Sequence, residues 1–168
     1  MSRVDGAVEI RKARLRDVDR IARLNNAFAD EKLMLRRTPE MIAAAIDDYV
    51  VAVSEGGEVL ACGALKEYSP SLAEVAAIAV ARHAHGRGLG RSIVRAVEEL
   101  ALQRGITHVF ALTLQPEFFS ACGYAESDVA RYPEKIRRDC VSCARRTACN
   151  EYCFTRLLAG EWQLEAAA

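Results

Sequence analysis

The fold is decided by one stretch of the sequence, AVARHAHGRGLGR at residues 79–91. An apolar run at 73–80 leads into it and predicts a buried strand, and an amphipathic run at 89–104 follows it and predicts a long helix. Unpaired N–H groups at a helix N-terminus attract anions, and glycines let the backbone come close to phosphate oxygens. The stretch therefore predicts a phosphate-binding turn, with a plain strand-to-helix turn as the alternative.

Outward from this turn, the patterns predict further strands, helices and an antiparallel hairpin. The predicted strands lie at 8–13, 49–54, 59–65, 107–114, 124–126 and 152–158. Helices are predicted to begin after Asp17, at Thr38-Pro39 and at Pro116, and the second of them is expected to continue to Tyr49. This order favours an α+β or mixed α/β fold with one sheet, in a single domain over residues 1–168.

Composition excludes several classes of function. The chain has 168 residues, with 23 basic and 23 acidic side chains, whereas a protein held to nucleic acid by phosphate contacts is normally basic overall. No apolar run approaches the roughly 18–20 residues that a membrane helix needs, and the N-terminal sequence lacks the apolar core of a signal peptide. We therefore expect a cytoplasmic protein with no nucleic-acid or membrane partner, whose thiols stay reduced.

The chain as a whole resembles the GNAT acetyltransferase family, whose acetyl-CoA motif is Gln/Arg-x-x-Gly-x-Gly/Ala after a strand ending in Ala-Val. Gly88 and Gly90 match the motif's glycines, and His85 stands at its Gln/Arg position. The resemblance implies the GNAT fold, a mixed central sheet flanked by helices whose splayed central strands hold acetyl-CoA. The cofactor-binding residues that it implies are Ile78, Ala79, Val80, His85, Gly86, Arg87, Gly88, Leu89, Gly90 and Arg91.

Three further stretches resemble the short bacterial N-acetylglutamate synthases. They lie at 33–40, at 61–66 with 73–80, and at 109–114 with 118–124. The resemblance implies acetyl transfer to the α-amine of L-glutamate, the first step of arginine biosynthesis, with Arg37 and Lys66 contacting the substrate carboxylates and Arg36 as a possible helper. Cationic donors, Arg above all, suit carboxylates. The alternatives are an exposed helix start for Arg36-Arg37 and a solvated edge lysine for Lys66.

The expected mechanism is direct transfer in a ternary complex. An ammonium must lose a proton before it attacks a thioester, and Glu74 is the candidate base, with an ordinary charge at the strand's mouth as the alternative. A backbone N–H near Ala79 would stabilise the oxyanion. Phe118-Phe119 stands where many family members carry an acidic Tyr, so the usual general acid is absent. The competing chemistry is an acyl-cysteine on Cys62 or Cys122.

A basic, cysteine-rich segment at 131–153 carries a second motif. Its thiols are Cys140, Cys143, Cys149 and Cys153. Four thiolates can complete a tetrahedral zinc site, and a reducing compartment favours metal over disulfides. Structural zinc is therefore expected here, with an iron–sulfur cluster, free thiols or redox-linked pairs as alternatives.

Two rival functions stay open. One is acetylation of another acceptor, such as a different amino acid, a polyamine or a protein N-terminus. The other is a non-catalytic acyl-CoA sensor or metal-binding interaction module on the same scaffold, because a fold alone does not fix a function. Pairing of two domains into a homodimer is plausible.

Overall fold

The computed structural model describes residues 6–145 and 149–158. Its strands are β1 (Val8–Lys12), β2 (Tyr49–Ser54), β3 (Val59–Ser69), β4 (Leu72–Val80), β5 (His108–Thr113), β6 (Ala125–Ser127) and β7 (Tyr152–Leu157). Its α-helices are α1 (Val18–Asp30), α2 (Pro39–Ala44), α3 (Leu89–Gln103), α4 (Pro116–Ala121) and α5 (Pro133–Arg138). The strands form one mixed sheet in the order β1-β2-β3-β4-β5-β7-β6. None of the described helices is long and apolar enough to cross a membrane.

The chain divides into two compact units. The first comprises Met1–Leu65 and Ala77–Leu100, and the second comprises Lys66–Ala76 and Ala101–Ala168. Strands β3 and β4 therefore each contribute residues to both units.

In the first unit, β1 pairs antiparallel with β2, and β2 pairs antiparallel with β3. The core lies among α1, α2 and these strands, where Ile21, Ile42, Val51 and Cys62 are fully buried. Helix α1 begins directly after Asp17, as predicted, but the Asp17 carboxylate accepts hydrogen bonds from the Arg14 amide and the Arg11 guanidinium instead of capping α1.

Helix α2 begins as predicted and ends early. The Thr38 hydroxyl accepts a hydrogen bond from the Met41 amide, which caps the helix that Pro39 opens. The helix ends at Ala44, a 3-10 turn covers Ile46–Asp48, and Tyr49 is already the first residue of β2. The expected continuation of this helix to Tyr49 is therefore wrong.

In the second unit, β5 pairs antiparallel with β7, which pairs with β6. The start of β4 pairs in parallel with β5 from Leu72 opposite His108 to Glu74 opposite Phe110. The rings of Phe110 and Tyr132 stack at 4.2 Å between centroids and form the centre of this unit's core.

Candidate active site

The glycine-rich turn joins β4 to α3 in the first unit. Gly86 and Gly88 have φ angles of +77° and +74°, which L side chains rarely adopt. A Cβ added to either glycine would meet no described atom within 4 Å, and residues 85–88 are exposed. The turn is thus open, with its backbone uncovered where α3 begins.

His85 at the start of this turn is held by the chain's own backbone. Its Nε2 lies 2.8 Å from the carbonyl oxygen of Val80. A carbonyl oxygen only accepts, so Nε2 carries the proton of the neutral ring and Nδ1 is left as an acceptor. In this geometry a neutral His85 has no N–H for a phosphate, and its hydrogen bond fixes the turn against the end of β4.

The end of β4 contains a backbone distortion beside a buried thiol. Ala77 has a φ of +54°, an uncommon angle for a residue with a side chain. The Cys62 thiol donates a 3.7 Å hydrogen bond to the Ala77 carbonyl. Burial raises the pKa of Cys62 to about 12, and the side chain is 0% exposed. The thiol is therefore protonated and inaccessible, which removes the support for an acyl-cysteine on Cys62.

The two neighbouring arginines before α2 have different environments. Arg36 is exposed and pairs with Asp30. The backbone of Arg37 is clamped by Asn26, whose amide donates to the Arg37 carbonyl at 2.8 Å and accepts from the Arg37 N–H at 3.0 Å. The Arg37 Nη1 donates to the Tyr49 hydroxyl at 3.3 Å, while its Nε is buried and has no hydrogen-bond partner within residues 6–145 and 149–158.

In the second unit, Lys66 and Glu74 are linked through side chains that the sequence did not single out. Lys66 Nζ donates to Asp139 Oδ2 at 2.7 Å, and Lys135 Nζ donates to the same oxygen at 3.1 Å. Lys135 also donates to Glu74 Oε2 at 2.9 Å. The Tyr68 hydroxyl lies against both carboxylates, 2.9 Å from Glu74 Oε2. We call these five residues the Asp139 cluster.

The charges of the Asp139 cluster follow from its contacts. Burial raises the pKa of Asp139, but hydrogen bonds from Lys66, Tyr68 and Lys135 outweigh this and lower it to about 2. Burial lowers the pKa of Lys135, yet the Glu74 and Asp139 carboxylates raise it overall. Burial and then the adjacent carboxylates raise the pKa of Tyr68. At neutral pH the Asp139 cluster therefore holds ionised Asp139 and Lys135 and a phenol that keeps its proton.

Among the described residues, the four clustered thiols are not gathered into a group that could hold a metal ion. No group of three or more His, Cys, Asp or Glu is placed to hold a metal ion in the part of the chain that the structure describes, which omits 146–148 of the 131–153 segment. Cys153 lies buried on β7, where burial raises its pKa to about 11, and burial also raises the pKa of Cys140. Zinc binds thiolates, so the expected zinc on Cys140, Cys143, Cys149 and Cys153 has no support here.

The fold agrees with comparison to known proteins. The sequence model of the Acetyltransferase (GNAT) family matches residues 15–127, so the chain belongs to this family. The family and the mixed-sheet GNAT fold predicted from the sequence are thereby confirmed, and the protein is an acetyltransferase.

Two relatives and one solved structure are similar to this chain over 70% or more of its length. An uncharacterised N-acetyltransferase of Chlorobaculum tepidum is 38% identical over 149 residues, covering 89% of this chain and 96% of the relative. An amino-acid acetyltransferase of Mycobacterium tuberculosis is 32% identical over 119 residues, covering 70% and 68%. The N-acetylglutamate synthase of Neisseria gonorrhoeae, solved with coenzyme A and N-acetyl-glutamate, superposes with a TM-score of 0.81 at 26% identity. The match covers 92% of this chain and 36% of that synthase, so this chain spans about a third of its length.

Proposed function

We propose that this protein is an N-acetylglutamate synthase, which transfers the acetyl group of acetyl-CoA to the α-amine of L-glutamate. The name of the Mycobacterium tuberculosis relative and the ligands of the Neisseria gonorrhoeae synthase support an amino-acid acceptor and coenzyme A. A single feature of this chain supports an acceptor with a carboxylate, the buried Nε of Arg37, which has no hydrogen-bond partner among the described residues.

A buried donor without a partner is costly, on the order of 1–3 kcal/mol, and more when the group is charged. The Arg37 Nε is such a donor among the described residues, and the Asn26 clamp holds its backbone in place. A carboxylate is the natural partner, because a guanidinium offers parallel N–H groups that match two carboxylate oxygens. Arg37 therefore supports an acceptor with a carboxylate and opposes a polyamine.

Acetyl-CoA is the proposed donor. The amides of Gly86, Gly88 and Gly90 would hold its pyrophosphate at the start of α3, because the turn there is open and its N–H groups are unpaired by the helix. Arg87, Leu89 and Arg91 complete this turn. The backbone of Ile78 and Val80 on β4 would line the pantetheine arm.

The proposed chemistry is direct attack by the amine. Glu74 takes one proton from the ammonium, and Oε1 is the oxygen suited to it because Oε2 already accepts from Lys135 and lies against the Tyr68 hydroxyl. The nitrogen lone pair forms the C–N bond, and the N–H of Ala79 stabilises the oxyanion. The C–S bond then breaks, its electron pair leaves with the sulfur, and the second amine proton ends on the coenzyme A thiol.

The test is coenzyme A release from acetyl-CoA with each standard amino acid, spermidine and a short peptide as acceptor. We expect turnover selective for glutamate. Selective turnover of another acceptor would overturn the glutamate assignment and leave the acetyltransferase in place. Absence of turnover with every acceptor, with acetyl-CoA still bound, would instead favour the acyl-CoA sensor.

The variant Arg37→Gln tests the observation behind this proposal. We expect it to raise the KM for glutamate about 10- to 100-fold, as for loss of a charged hydrogen bond, and to leave the KM for acetyl-CoA nearly unchanged. The matched control is Arg36→Gln, which removes an exposed neighbouring guanidinium. Equal effects of the two variants, or equal effects on both substrates, would place Arg37 outside the acceptor site.

A further inference from the structure

Three hydrogen-bond donors of the Asp139 cluster converge on one carboxylate oxygen. Lys66 Nζ, Lys135 Nζ and the Tyr68 hydroxyl all contact Oδ2 of Asp139. Two ammonium groups and a phenol around a single oxygen make up the donor set of a carboxylate-binding site. In this structure the carboxylate that fills the site belongs to the chain itself.

The charge balance shows what could replace Asp139. Lys66 and Lys135 are balanced by Glu74 and Asp139, so the cluster is formally neutral. Withdrawal of Asp139 alone would leave one positive charge uncompensated beside Lys135, whose side chain is only 13% exposed. The entry of another carboxylate restores the balance. Asp139 can therefore be exchanged for an external carboxylate at little electrostatic cost.

Tyr68 gives a further reason for the exchange. The phenol has one proton and lies against two carboxylates, Glu74 and Asp139, so it can donate to only one of them at a time. When Asp139 leaves, that proton can serve Glu74 or the incoming ligand without competition from Asp139.

The segment that carries Asp139 is lightly anchored. None of the six residues of α5, Pro133–Arg138, is buried, and Asp139 follows directly after this helix. The start of the segment is anchored by Tyr132, which is 3% exposed and stacked on Phe110, and by Lys135, whose side chain is 13% exposed and donates to Glu74. The Arg138 guanidinium donates to the Glu67 carbonyl, but this hydrogen bond is exposed. Asp139 and the exposed residues just before it, 137–138, can thus move without opening the core of the second unit, while Lys135 stays paired with Glu74.

We propose that Asp139 is an internal stand-in for the acceptor, occupying a carboxylate subsite formed by Lys66, Tyr68 and Lys135 until the acceptor's carboxylate displaces it. The inference rests on the proposed function in one respect, that the acceptor carries a carboxylate. It assigns Tyr68 and Lys135 to acceptor binding and gives residues 137–139, at the end of α5, the role of a latch over that subsite.

The prediction concerns affinity for a carboxylate. Only the fraction of molecules with Asp139 withdrawn can bind, so the internal ligand weakens the apparent affinity by that fraction. Asp139→Asn keeps the size of the side chain and removes its charge. We expect it to tighten acceptor-side binding about three- to tenfold, the range for a partly exposed ion pair. The KM for acetyl-CoA should stay the same.

The experiment uses glutarate, a dicarboxylate without an amine, titrated calorimetrically into the full chain. Asp139→Asn should bind glutarate more tightly than the wild type, and Lys66→Met in the Asp139→Asn background should abolish the gain. The matched control is Asp19→Asn, which neutralises an exposed aspartate of α1 and should bind glutarate as the wild type does. Unchanged or weaker binding by a folded Asp139→Asn, or no binding to either protein, overturns the inference.

A second measurement needs no variant. In the wild type, saturating glutarate should speed amide hydrogen exchange at residues 137–142, because the latch is released; unchanged or slower exchange there overturns the inference. The two proposals fail separately. Glutamate turnover by the wild type, with no tighter binding of glutarate by Asp139→Asn, would reject the latch alone. Tighter binding of glutarate by Asp139→Asn without glutamate turnover would reject the synthase assignment alone.

Discussion

Burial decides the chemistry of Cys62. With a pKa of about 12, roughly one thiol in 10⁵ is ionised at pH 7. We therefore expect Cys62→Ala to keep kcat within about twofold, with a stability loss of about 1 kcal/mol for the small cavity. Steady-state kinetics and thermal melting measure the two effects. Cys149→Ala, at an exposed thiol, is the matched control. A kcat loss above about 100-fold in a folded Cys62→Ala protein would revive the acyl-cysteine mechanism.

The same scale shows what sequence could predict of the site. Lys66 and Glu74 follow from motif position, but their partners lie 73 and 61 residues further along the chain, at Asp139 and Lys135. No local pattern encodes contacts of that separation. The resemblance favours Arg37 over Arg36, but the Asn26 clamp on the Arg37 backbone is seen only in the folded chain.

At the scale of elements, Gly63 on β3 packs closely against α3 and β4. A Cβ at this position would lie 2.5 Å from Cγ2 of Ile93 on α3 and 2.6 Å from Cδ1 of Ile78 on β4. Ile93 is fully buried and has little room to move. We expect Gly63→Ala to destabilise the protein by about 1–3 kcal/mol, as overpacking does.

Chemical denaturation measures this difference, and Gly56→Ala in the β2–β3 turn is the matched control. A Cβ there meets only the Ser54 hydroxyl at 3.8 Å, an ordinary contact, so that variant should be nearly neutral. Equal stability of the two variants would show that β3 and α3 can adjust to the added methyl.

Element boundaries were predictable where local chemistry sets them. Helix α4 spans Pro116–Ala121 as predicted, because proline fixes its first turn. The helical spacing of apolar residues predicts that α2 continues to Tyr49. This is wrong because Tyr49 pairs with Ala64 across β2 and β3, and long-range pairing outweighs local periodicity. The sequence does not predict helix α5, because its six residues have no buried face and so show no periodic pattern of apolar side chains.

At the scale of the whole molecule, the proposed mechanism depends on the order in which the two substrates bind. Direct transfer requires that acetyl-CoA and the acceptor be bound together. A covalent intermediate would instead let coenzyme A leave before the acceptor arrives. The order of binding therefore tests the mechanism for the molecule as a whole.

We expect intersecting double-reciprocal plots when acetyl-CoA and glutamate are varied together, and no acetyl label on protein incubated with acetyl-CoA alone.

Coenzyme A and glutamate added together should raise the melting temperature above the value with either ligand alone, because each bound ligand at 100 times its Kd adds about 2.7 kcal/mol to the free energy of unfolding. Glutamine, with one carboxylate replaced by an amide, is the matched control ligand and should add less. Parallel plots with a labelled protein would establish a covalent route, and because Cys62 is buried and protonated, the acetyl-bearing residue would then have to be found elsewhere.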